Sequence, residues 1–164
     1  MADNPALAKA RAYLGLKEYP GAATNPTIAQ WLAALVLPWK DDATPWCGVF
    51  VAECFREAGV APVKGPAWAQ NWLNFGTRLA GPAVGAVVVF GRDGGGHVSF
   101  VVGRDTRGNL MCLGGNQGDM VKVSPFLTSR VLGYTWPPGV PVPNVGFNLL
   151  PVVGSDGKVS VNER

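Results

Sequence analysis

The sequence predicts an α+β domain, helices first and an antiparallel β-meander second. Three observations predict it. Asn-Pro or Thr-Pro pairs open three apolar-periodic stretches within the first 60 residues. From residue 84 onward, β-rich runs are separated by Gly, Asp and Asn turns. The two kinds of segment do not alternate, which argues against α/β.

The elements follow in order. "DNPALAKARAYLG" has Asn4 as cap, Pro5 at the first helical position and Gly15 as stop. "TNPTIAQWLAALVL" repeats the device with Asn25 and Pro26, and Ile28, Trp31, Leu32, Leu35 and Val36 share a face. "ATPWCGVFVAECFREAGV" is read with Thr44 as cap and Pro45 as first residue, which puts Cys47 at the third helical position. "PAWAQNWLNFG" reads as a fourth, shorter helix with Trp68 and Trp72 stacked at i, i+4. Strands are expected at 84–90, 97–103, 110–116, 120–126 and 130–136. Residues 1–136 are expected to form one domain. Residues 137–164, rich in Pro and Gly, are read as an appendage that lies on it or reaches a partner.

Composition narrows the function. The chain has 164 residues, 48% apolar and only 15% charged, which suits a globular core. The net charge of +3 comes without a basic stripe, so no nucleic-acid partner is expected. The longest apolar run, Trp31 to Leu37, is too short to span a bilayer, so no membrane insertion is expected. The N-terminal stretch lacks an apolar signal core, so synthesis in the cytoplasm without a signal peptide is expected. Three cysteines and one histidine show no metal-ligand spacing, and neither metal nor cofactor is expected.

Cys47 at a helix start has both a structural and a chemical reading. It begins an apolar face with Phe50, Val51, Cys54, Phe55 and Ala58, so packing alone would explain it. A helix start also stabilises a thiolate and offers free amides to an oxyanion. His97 follows the Gly-rich "GRDGGG" and opens a strand, a place suited to a base beside a nucleophile. A plain hairpin around "RDTRGN" pairs 103 with 110 and therefore 97 with 116, which sets Asn116 opposite His97. Gln117 and Asp119 are rival orienters, Gln117 at the cost of a one-residue slip. No G-x-S-x-G or G-x-x-x-x-G-K-[ST] occurs, which disfavours a serine hydrolase or a nucleotide enzyme.

"TPWCGVFVAECFREAG", "GAVVVFGR…GGHVSFVVG" and "LGGNQGDMV" together resemble the CHAP and NlpC-type cysteine peptidases, and most closely a phage-associated branch. The resemblance covers roughly residues 10–136. It implies a papain-like fold and a Cys-His-Asn mechanism, with Cys47 as nucleophile, His97 as base and Asn116 as orienting group. It implies bacterial peptidoglycan as substrate, cut by an endopeptidase or N-acetylmuramoyl-L-alanine amidase such as a bacteriolytic endolysin or virion lysin. It also implies action on the wall after release, virion delivery or injection, with residues 137–164 as the reach toward a phage-particle or secretion partner. Trp46, Trp68, Trp72 and Gln117 are the expected substrate-binding residues. Gly114 stands where many CHAP domains have a glutamate. The rival readings are an inactive structural or binding module of a phage particle or secretion apparatus on the same fold, and an acyltransferase.

Overall fold

The computed structural model describes residues 3–19, 24–38, 46–92 and 95–154. Helix α1 spans Pro5–Ala12, α2 Pro26–Ala34 and α3 Cys47–Glu57. Both Asn-Pro starts behave as their chemistry dictates. The Asn4 side chain accepts from the Ala6 amide at 3.0 Å, and that of Asn25 from the Thr27 amide at 2.8 Å. Asn4 also donates to Gly85 O at 2.8 Å, so the cap ties α1 to the sheet.

The strands are β1 Thr77–Leu79, β2 Val87–Arg92, β3 Gly95–Arg104, β4 Leu110–Gly114, β5 Lys122–Phe126 and β6 Val131–Trp136. They form an antiparallel sheet in the order β1-β6-β2-β3-β4-β5. This is the α+β architecture the sequence predicts, with the short edge strand β1 added. Side chains alternate across it. Val87, Val89, Val98 and Phe100 face a core shared with the three helices. Val88, Phe90, Val101 and Cys112 face a second core, closed by Val140, Val145, Phe147 and Leu150 of the C-terminal segment. Helix α3 is buried from Cys47 through Phe55, between the other helices and the sheet.

Two local expectations are corrected. The stretch around Trp68 and Trp72 is not an α-helix stacking its tryptophans but a 3₁₀ helix over Ala69–Asn74. The two rings part company there: Trp72 is fully buried against Phe55 and Phe75, and Trp68 is 67% exposed. Helix α3 starts later than expected. Trp46 holds the cap position with no capping side chain, and the first helical bond runs from Phe50 N–H to Trp46 O at 2.9 Å. Cys47 is therefore the first helical residue, and the expected cap residues Thr44 and Pro45 lie outside the described residues.

Candidate active site

Helix α3 begins at Cys47, and the amides of Cys47, Gly48 and Val49 precede the first helical bond. A glycine follows the cysteine because the chain returns there. A Cβ on Gly48 would strike Pro66 O and come within 3.2 Å of Ala67 C. The segment leading to Trp68 thus lies on the helix start.

His97 enters from β3, where it pairs with Phe90 and is fully buried. Its ring stacks on Phe126, with centroids 5.4 Å apart and planes 13° apart, and Phe126 stacks on Phe90 at 4.5 Å. Arg130 lies over both rings of this aromatic pair, 5.6 Å from the Phe90 centroid and 5.8 Å from that of Phe126, and donates to Gly91 O. The imidazole plane is fixed by packing.

The Cys47 thiol is in hydrogen-bond contact with His97. Burial works against ionisation, but the His97 hydrogen bond and charge, the Val98 amide and the Arg92 guanidinium outweigh it. The net shift is below the ordinary thiol value. Cys54 and Cys112 show the contrast. Both are buried, and burial pushes both thiols up.

The group on the other side of the imidazole is Gln117, not the expected Asn116. His97 Nε2–H donates to Gln117 Oε1 at 3.0 Å. The amide orientation follows from its remaining contacts: Gln117 Nε2 donates to Cys112 O at 3.2 Å and to Lys122 O at 2.8 Å. A nitrogen facing two carbonyls leaves the oxygen for His97. Nε2 must then carry the ring proton, and Nδ1 is the nitrogen offered to the thiol.

The physical reason is that β4 ends at Gly114. The site end of the β3–β4 ladder has the expected register, with Phe100 opposite Leu113 and Val101 opposite Cys112. Beyond Gly114 the chain turns through Asn116, Gly118 and Asp119 with φ of 59°, 61° and 62°. Residue 116 therefore never reaches the rung opposite 97, and the turn carries Gln117 back over Gly114. A Cβ on Gly114 would overlap Gln117 Oε1 and lie 2.6 Å from Ser99 Cβ, so the glycine there makes room for the glutamine. Asn116 is itself buried beside it, in the left-handed conformation that asparagine tolerates.

The expected substrate contacts divide by burial. Trp46 is 1% exposed, sits against Gly115 and Trp31 and donates to Glu18 Oε1 at 3.2 Å. Trp72 donates to Pro66 O at 3.0 Å from inside the core. Gln117 is 1% exposed with its amide fully engaged. These three are framework. Trp68 alone of the four presents its ring to solvent.

Among the described residues no three His, Cys, Asp or Glu side chains gather as a metal site. None of the described helices is long and apolar enough to cross a membrane. In comparisons with known proteins, residues 39–116 match the model of the CHAP domain. No curated protein and no solved structure matches the chain.

Proposed function

From the match of residues 39–116 to the CHAP domain, a family of peptidoglycan hydrolases and amidases, we propose that this chain cuts an amide bond of the wall peptide through a Cys47 thiolate. The observation that carries the reading is the Cys47–His97–Gln117 line, with a thiol held below its ordinary value at a helix start.

Gln117 fixes the imidazole so that Nδ1 faces sulfur. The Cys47 thiolate attacks the amide carbonyl carbon. The free amides at the start of α3 receive the oxyanion. The His97 imidazolium gives its proton to the leaving amine, and the acyl group stays on sulfur as a thioester. Water, deprotonated by the same imidazole, then releases the carboxylate and returns the thiolate. Trp68, exposed on the segment lying on the helix start, is the substrate contact in this reading. The W-C, G-H-V and L-G-G-N-Q motifs favour a phage-associated lysin, either an endolysin or a virion component.

Digestion of purified peptidoglycan, read by mass spectrometry, tests the proposal. Wild type is expected to release new fragments whose masses distinguish an endopeptidase from an amidase, and folded Cys47→Ala is expected to release none. Equal release by both proteins would remove Cys47 from the chemistry. No release by folded wild type from several wall types would leave the binding module as the better account.

A further inference from the structure

We propose that Arg92 forms a carboxylate subsite beside the nucleophile, taking a carboxylate of the wall peptide next to the scissile amide. The proposal rests on the peptidoglycan reading above.

Arg92 closes β2 and pairs with Gly95, two residues before His97. Its guanidinium lies over that glycine: a Cβ built on Gly95 would sit 3.6 Å from Nε and 3.8 Å from Nη2. Its charge reaches the Cys47 sulfur, whose thiol it helps to lower. Yet Nε and Nη1 are buried and have no hydrogen-bond acceptor. Buried guanidinium donors are costly to leave unmatched. Other arginines of the chain are matched: Arg56 by Glu53, Arg78 by Leu73 O, Arg104 by Leu150 O and Arg130 by Gly91 O.

The other side of Gly95 is equally defined. Gln70 Nε2 donates to Gly95 O at 3.2 Å, and the Gln70 and Ala69 side chains would meet a Cβ on Gly96. That stretch carries the exposed Trp68. The rim beside the nucleophile therefore offers an unmatched cation on one side of Gly95 and, on the other, the 3₁₀ segment that begins at the exposed Trp68. A guanidinium accepts nothing, so its complement is an acceptor, and its charge selects an anion over a neutral hydroxyl or amide. Wall glycans and peptides present many neutral oxygens, and the peptide supplies carboxylates.

Two muropeptide probes test this. One carries L-alanyl-D-isoglutamate with its free carboxylate, and the other has that carboxylate amidated. Wild type is expected to prefer the free acid by about tenfold or more in kcat/KM, the scale of a charge-assisted hydrogen bond. Arg92→Gln is expected to bring the ratio to about one, and Arg92→Lys, which serves if the glutamine variant does not fold, to an intermediate value. Calorimetric binding of both probes to Cys47→Ala, with and without Arg92→Gln, reads the same preference without turnover. A wild-type ratio near one overturns the subsite, as does an Arg92→Gln variant that slows both probes equally. The latter result would confine Arg92 to its effect on the thiolate. Binding preference without any cleavage would keep the subsite and sink the hydrolase; cleavage without preference would do the reverse.

Discussion

Three buried cysteines have three identical side chains, and only one is placed to ionise. Cys54 and Cys112 lie in apolar surroundings that push their thiols up, whereas His97, the Val98 amide and Arg92 bring Cys47 down. Because the folded value of Cys47 is depressed, its thiolate persists at pH below the ordinary thiol range and is lost as pH falls through the folded value. Iodoacetamide is therefore expected to label Cys47 selectively near neutral pH, read by peptide mapping, with a rate midpoint below that of a free thiol. Arg92→Gln is expected to move that midpoint upward. A midpoint at or above the free-thiol value would remove the activated thiolate. The orienting group gives a second test. Gln117→Ala leaves a buried ring N–H without its acceptor, at a cost of about 1–3 kcal/mol, or roughly tenfold to a hundredfold in kcat. Asn116→Gly keeps the left-handed backbone and is expected to lose less. The opposite ranking would return the orienting role to Asn116.

At the scale of elements, what was legible in the sequence followed local chemistry. Asn4 and Asn25 cap because Asn-Pro determines both the cap and the first φ. The β2 run is continuously apolar from Val87 to Phe90 because it has a core on both faces. What was missed came from contacts distant in the chain. A hairpin pairing 103 with 110 was expected; the structure pairs Gly103 with Met111 and Arg104 with Leu110, and then recovers the expected register through an irregularity before Val101. That irregularity sits where the C-terminal segment docks: Arg104 N–H donates to Pro151 O at 2.9 Å, and a Cβ on Gly103 would lie 2.6 Å from that same oxygen. Nothing near residue 103 announces residue 151. Cys47 and His97 were legible as a pair because Cys47 starts α3 and His97 lies near the start of β3, two residues inside it rather than at its first position. Gln117 was readable only as a rival, since its place depends on β4 stopping at Gly114. Gly48 is a further long-range feature, and it yields a prediction. Gly48→Ala must displace the Pro66–Ala67 backbone and is expected to cost about 1–3 kcal/mol of stability, measured by denaturant unfolding. It should also lower activity beyond what the stability loss explains, because the displaced segment carries Trp68. Unchanged stability would mean that the contact is loose.

At the scale of the molecule, the sheet needs cover on both faces, and only one face is served by the helices. The other is served by residues that the sequence presents as an irregular, proline-rich tail. Leu150 is 3% exposed, and Phe147 stacks under Arg104 at 5.8 Å. Gly146 N–H donates to Pro82 O at 2.8 Å, and Trp136 Nε1 donates to Pro141 O at 3.1 Å. These contacts hold the segment through Leu150 against Val88, Val101, Cys112 and Trp136. The same second core holds Phe90 and Phe126, on which His97 stacks. Removing the cover should therefore reach the candidate active site through the sheet. Leu150→Ala is expected to cost about 2–5 kcal/mol by the usual penalty for emptying a buried leucine site. Ending the chain after Trp136 would uncover the whole face, and the expected outcome is loss of cooperative thermal unfolding together with binding of a hydrophobic dye. A truncated chain that unfolds cooperatively and keeps its rate would show that the segment is dispensable to the fold, and would return it to the role of a reach toward some partner.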